Sequence, residues 1–313
     1  MTDGAQPSIW IITDGRRGDV VQCEAIAHRL SDNVRLIEIA PRQPWKFLMP
    51  WGPADPQELS KFKAPIPDLI IAANRQAYPY AKRLHQQSNG RIRVLFMKQP
   101  GRDISSFAHV WVPSHDQLSG DHVISTLTAP HLVSEEKLEA CKQNPEPRLA
   151  ELSGPKLAVI LGGNGKHATY DDAAINTFTN KLQQAANFNA VMVTASRRMP
   201  DAFLKAVIAA NPCPESFVWD GMGDNPYFHI LAEADAILVS GDSHNMVGEA
   251  LAAGVPVHVV EPTGNPEKFR WTIRKLREKG LLMAEDQPIK AGTQPRFDET
   301  AAIVEAVKQV FKL

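Results

Sequence analysis

Short apolar runs of four to six residues recur along the chain, separated by longer stretches with helical spacing. That alternation constrains the fold more than any other feature. In the first half the runs are Ser8–Ile12, Arg35–Ile39, Leu69–Ala73, Arg93–Lys98 and Ala108–Val112. In the second half they are Lys156–Leu161, Ala190–Thr194, Ser216–Trp219, Ala236–Val239 and Val257–Val260. The runs of the first half are each bounded by Gly, Pro or charged residues, as expected of parallel strands buried on both faces. Between them, Val21–Leu30 puts Ala25, Ile26, Ala27 and Leu30 on one helical face, and Gln76–Gln87 does the same with Ala77, Tyr80, Ala81 and Leu84. Further helical patterns fall at Asp171–Ala186, Pro200–Ala210, Tyr227–Glu233, Met246–Ala253, Pro266–Lys279 and Glu299–Phe311. Strands alternating with helices predict an α/β fold with parallel sheets.

The pattern restarts after two breaker clusters, Asn144–Pro147 and Ser153–Pro155. The expected division is therefore 1–150 and 151–313, two doubly wound Rossmann-like domains facing a cleft, with the last helix able to pack back on the first domain. The 313 residues suit two domains of ordinary size. Basic and acidic residues number 34 and 35, without the basic excess of a general nucleic-acid binder. Three scattered cysteines give no CxxC pair, arguing against a zinc site or disulfide framework and for a reduced, cytoplasmic setting. The first apolar run is too short for a signal peptide, and no stretch of ~18 apolar residues would span a bilayer.

Open parallel sheets bind ligands beyond the carboxyl ends of their strands, so the loops after strands carry the functional reading. Thr13–Asp19 offers two glycines and two carboxylates, Asp14 and Asp19, which could serve as a general base or simply cap the helix. It is not GxGxxG, so no dinucleotide fingerprint is present. Leu161–His167 (Leu-Gly-Gly-Asn-Gly-Lys-His) lacks the spacing of a Walker A motif but is a glycine-rich loop suited to a diphosphate or a sugar. Thr194–Pro200 carries two arginines before a helix start, an arrangement suited to phosphate. Ala234–Ala250 reads as strand, Gly-Asp-Ser turn and helix. Ser243 and Asn245 can cap that helix, and Glu249, between Gly248 and Ala250, suits two vicinal ribose hydroxyls. A Ser243–His244 hydrolase pair is disfavoured, since adjacent residues rarely face each other.

The stretch Ala-Asp-x-apolar-Ser, followed by Glu-Ala and Gly-x-Pro, resembles the nucleotide-sugar site of GT-B glycosyltransferases. More closely, the chain resembles the family named after a plant mitochondrial-fission factor. Matching stretches run in order from Thr13–Gln22 through Pro67–Ala77, Gln99–Asp103, Val112–Thr126, Leu161–Gly163, Thr194–Pro200 and Asn225–Tyr227 to Asp242–Glu249. The resemblance implies a GT-B fold and nucleotide-sugar contacts from Gly162, Gly163, Arg197, Ser243, Asn245, Met246 and Glu249. It places acceptor contacts and the base in the first domain. Where the family commonly has Gly-His, this chain has Gly18-Asp19, so Asp19 or Asp14 would be the base, with His115 as another candidate. The expectation is a metal-independent transfer from a nucleotide sugar, with no cofactor, to a lipid-linked or envelope glycan acceptor. A sugar-nucleotide epimerase and a non-catalytic scaffold are the alternatives. Pro44–Trp51, with two Trp, Phe, Leu, Met and one Lys, either docks at a bilayer interface or packs on the domain. The basic helix Pro266–Lys279 is read as a solvated face.

Overall fold

The protein is described here as a computed structural model covering residues 6–63, 65–166 and 168–312. The chain divides into two units, Met1–Leu132 with Glu299–Leu313, and Val133–Asp298.

In the first unit, β1 (Ile9–Thr13), α1 (Arg17–Leu30), β2 (Val34–Glu38), α2 (Trp45–Leu48), β3 (Leu69–Ala73), α3 (Asn74–Gln87), β4 (Arg93–Met97), β5 (His109–Pro113) and β6 (Val123–Thr126) follow one another. Their strands form one parallel sheet in the order β2-β1-β3-β4-β5-β6, with Ile11 paired to Leu36 on one side and Ile71 on the other. Side chains alternate between the faces of a strand. Trp10 and Ile12 accordingly join Ile70, Phe96 and the α3 residues Tyr80 and Ala81 in one core. Ile9 and Ile11 join Leu69, Trp111 and Ile26 of α1 in the other. The closing helix Glu299–Phe311 completes this second core with Ile303, Val304, Val307 and Phe311. Its first residue is also tied in: the Glu299 carboxylate accepts from the Thr128 amide at 2.6 Å and the Thr128 hydroxyl at 3.0 Å.

The second unit runs α4 (Glu135–Gln143), α5 (Pro147–Ala150), β7 (Lys156–Leu161), α6 (Asp172–Leu182), β8 (Ala190–Ala195), α7 (Asp201–Ala210), β9 (Glu215–Val218), α8 (Tyr227–Glu233), β10 (Ala236–Ser240), α9 (His244–Leu251), β11 (Val257–Val260) and α10 (Glu267–Glu278). The helix Glu299–Phe311 is then α11. The sheet is parallel in the order β11-β10-β7-β8-β9. Leu157, Val159 and Leu161 of β7 pack with Phe178 and Leu182 of α6 and Phe203 and Val207 of α7.

β6, α4 and the four-residue helices α2 and α5 escape the sequence reading. The edge strand β6 buries only Thr126 fully, so it shows no continuous hydrophobic run. Helix α4 buries only Leu138 and Cys141, too narrow a stripe to register as a helical period. The chain divides at Leu132, so α4 and α5 belong to the second unit although they precede residue 150. Among the described residues, no helix is long and apolar enough to cross a membrane.

Because α11 fills a core that α1 and the sheet leave open, Ile303→Ala should remove about 2–5 kcal/mol of stability. Urea unfolding followed by tryptophan fluorescence checks this; a loss under about 0.5 kcal/mol would show α11 to be dispensable.

Candidate functional site

The order of each sheet reverses at one place, and an open sheet binds ligands outside the strand ends there. In the second unit the reversal lies between β7 and β10, which pair with Ile160 opposite Val239. Three loops meet at these ends, and the Asp242 side chain, 2% exposed, holds them. Its Oδ2 accepts from the Gly163 amide at 3.0 Å. Its Oδ1 accepts from the Ser240 hydroxyl at 2.8 Å and the Tyr170 hydroxyl at 3.1 Å. The Gly162 amide donates to Ser240 Oγ at 2.6 Å, and Arg198 Nη2 stands 3.7 Å from the carboxylate. Tyr170 stacks on Phe203 with ring centroids 4.5 Å apart, and burial beside Asp242 raises its hydroxyl pKa well above the usual range. The approach is close enough to require glycine twice. A Cβ on Gly162 would lie 2.0 Å from Asp242 Oδ1, and one on Gly163 would lie 2.2 Å from the Arg198 carbonyl.

These contacts redistribute roles among the expected residues. The amides of Gly162 and Gly163 are engaged by Ser240 and Asp242. Arg197 is exposed, and the neighbouring Arg198 is the arginine that reaches Asp242. His167, at the end of the glycine-rich loop, lies outside the described residues. Ser243 caps α9, its hydroxyl accepting from the Met246 amide at 3.5 Å, and Asn245 lies in the first turn. Glu249, further along α9, accepts from the Tyr227 hydroxyl through Oε2 at 2.6 Å. Desolvation pushes the Glu249 carboxyl from 4.5 up to about 7, opposed in part by that hydrogen bond. Tyr227 is raised well above its ordinary value by burial and by the Glu249 carboxylate.

In the first unit the reversal lies between β1 and β3. Asp14 follows β1, its side chain 9% exposed. Its Oδ2 accepts from Gln76 Nε2 at 3.3 Å and lies 3.4 Å from Arg16 Nε. Asp14 Oδ1 and the neighbouring Asn74 Nδ2 are buried with no partner among the described residues. Asn74 and Lys98, at the ends of the adjacent strands β3 and β4, both hold positive φ, 68° and 69°. Such outliers cost of order 1–3 kcal/mol and cluster at functional sites. Lys98 Nζ lies 3.5 Å from Asp19 Oδ1. His115, its side chain 5% exposed, sits after β5 with Nε2 3.5 Å from Asp116. With β3 and β4 between them, β1 and β5 are roughly 14 Å apart across the sheet. Asp14 and Asp19 thus share the switch-point end, and His115 does not.

The profile of the family described as mitochondrial fission ELM1 matches residues 17–311. The chain belongs to this family. Its relatives include the mitochondrial fission protein ELM1 of Arabidopsis thaliana, 23% identical over 78% of this chain. The match covers 64% of the plant protein, so this ELM1-family chain spans about two thirds of that relative. Among solved structures, MurG of Acinetobacter baumannii superimposes with a TM-score of 0.51 at 13% identity, covering 97% of this chain and 91% of that one. The UDP-GlcNAc 2-epimerase of Neisseria meningitidis, solved bound to UDP-GlcNAc, gives 0.50 at 13%, covering 96% and 100%. The ELM1-family chain therefore has the GT-B fold of glycosyltransferases and sugar-nucleotide epimerases.

Sequence reasoning missed the partners more than the loops. Asp242 stood in the quoted Gly-Asp-Ser turn, and its place directly after a strand was the available signal. Tyr170 and Tyr227 lie far from their acid partners in sequence; Tyr227 stood in the matching stretch Asn225–Tyr227, but nothing local ties it to Glu249.

Two outcomes follow. Gly162→Ala should cost about 1–3 kcal/mol by forcing Asp242 out of place, read by urea unfolding. With its pKa raised, the folded state holds the Glu249 proton more tightly than the unfolded chain, a contribution that falls away once the unfolded carboxyl ionises. That contribution is full below about 4.5 and is lost as pH rises through about 7. Glu249→Gln should therefore gain on wild type from pH 5 to pH 8, by up to about 3 kcal/mol. A constant gap across that range would show Glu249 to titrate normally.

Proposed function

We propose that this chain is a GT-B-type glycosyltransferase that moves a sugar from a nucleoside diphosphate to an envelope glycan or lipid-linked acceptor in the cytoplasm. The observation that carries the reading is the desolvated Glu249 on α9, whose N-terminus opens at the second unit's switch point. Glu249 Oε1 is available to a pair of ribose hydroxyls while Oε2 holds Tyr227. The positive end of α9, capped by Ser243, and Arg197 and Arg198 supply the attraction for a leaving diphosphate. Asp242 takes no chemical step in this scheme, since three donors and Arg198 already occupy it. In the first unit, Asp14 is the preferred base because its Oδ1 is uncommitted. A sugar-nucleotide epimerase would use the same donor groups, and the match to the Neisseria epimerase supports that second reading.

Membrane contact belongs to the same proposal. Phe47, Leu48 and Trp51 are 77%, 43% and 67% exposed, next to Lys46. Such a patch would seat the chain on an anionic leaflet, where a lipid-linked acceptor is found. Phe47→Ser with Trp51→Ser should sharply reduce co-sedimentation with phosphatidylglycerol vesicles; unchanged sedimentation would remove the membrane from the reading.

A thermal-shift panel of UDP, GDP, CMP, ADP and their sugars tests the donor site. One nucleotide at about 100 times its Kd should stabilise wild type by ~2.7 kcal/mol and Glu249→Ala far less. Binding should strengthen as pH rises through about 7, where Glu249 ionises to accept from the ribose. No shift with any nucleotide would leave the fold as a scaffold.

A further inference from the structure

The second unit holds a cavity of about 390 Å³ away from its switch-point turn, a volume in the range of small-molecule sites. One wall is a stripe of Thr177, Asn180 and Lys181 on α6, continued by Gln184 in the turn after it, at the spacing of a single helical face. The opposite wall is the edge strand β11, and Met283–Glu285 closes the side. A smaller cavity of about 210 Å³ lies beside it, and His258 and Met283 line both.

His258 is 2% exposed, and both its ring nitrogens are buried without a partner among the described residues. Buried polar groups in proteins are almost always hydrogen-bonded, and leaving one unpaired costs about 1–3 kcal/mol. Burial, together with the nearby Lys181 charge, lowers the His258 pKa to about 4. The ring is therefore neutral, offering one donor and one acceptor.

The charged groups of the wall are already committed to the protein. Lys181 Nζ donates to the carbonyls of Glu285 and Gln287. Arg277 donates to the Glu285 carboxylate at 2.6 Å and to the Val259 carbonyl at 3.2 Å. Glu261 accepts from Asn265 Nδ2 at 2.8 Å. Positive and negative charge thus offset one another around the cavity. The remaining polar groups are neutral: the imidazole, the amides of Asn180 and Gln184 and the Thr177 hydroxyl. Val259, Val260 and Met283 supply apolar surface between them. An anion would meet Glu261 and Glu285; a simple hydrocarbon would leave the imidazole unpaired.

We propose that this cavity binds an uncharged heterocycle with donor and acceptor on its edge, of nucleobase or nucleoside size, anchored by His258 and the amides of Asn180 and Gln184. The site is separate from the Gly162–Asp242 turn and does not rest on the donor reading.

The test uses the full chain labelled with ¹⁵N-histidine and the probes uridine, cytidine, adenosine and guanosine. One of them should move the His258 ring resonances saturably and raise Tm. The readout is the imidazole itself, so it reports on this cavity whether or not the switch-point turn takes a nucleotide. Asn180→Ala with Gln184→Ala alters exposed helix positions and should keep Tm while weakening binding about tenfold or more. His258→Leu should remove the binding and, by deleting an unpaired buried group, leave the ligand-free protein at least as stable. Unmoved resonances up to about 10 mM nucleoside, or full affinity in the double variant, would overturn the proposal.

Discussion

The carboxylate of Asp242 ties together the ends of three strands. It receives an amide from the loop after β7, a hydroxyl from the end of β10 and a phenol from just before α6, with an arginine from the loop after β8 standing by. Hydrogen bonds to a charged group contribute about 1.5–3 kcal/mol each, more than neutral ones. The two glycines are the steric counterpart of this clasp, because a side chain at Gly162 would occupy the carboxylate's own space and one at Gly163 would meet the Arg198 backbone. The course of the chain into α9, and with it the position of Glu249, follows from where Asp242 is held.

The two switch points solve the same geometric problem with opposite chemistry. In the second unit the central carboxylate is saturated by its neighbours, which makes it a structural element. In the first, Asp14 keeps one buried oxygen uncommitted beside an uncommitted Asn74 amide. The strand ends next to it carry Asn74 and Lys98 in the left-handed region, a conformation that asparagine tolerates better than lysine.

Much of this architecture was legible because central parallel strands are buried on both faces. β1, β3 and β10 are buried at all five positions, so each announced itself as an apolar run. β6 escaped because an edge strand needs no such run, and α4 because two buried residues leave little periodicity. At the sites, Asp14, Gly162, Ser243 and Glu249 were visible from their places after strands or within a small-residue helix. The choice between Arg197 and Arg198 was not, since it turns on which of two adjacent exposed side chains reaches Asp242. The Tyr227–Glu249 pair, the orphaned His258 and its cavity depend on packing between distant segments, which no local pattern encodes.

The return of α11 to the first unit has a consequence for synthesis. Ile303, Val304, Val307 and Phe311 complete a core whose other members are made before any of the second unit. A nascent chain therefore carries an uncovered hydrophobic face on the first sheet throughout translation of residues 133–298. The second unit, continuous in sequence, can close as soon as it emerges. The order of folding on the ribosome is thus reversed relative to the order of synthesis. The interval before α11 arrives is when the first unit is most exposed to aggregation and most in need of a chaperone.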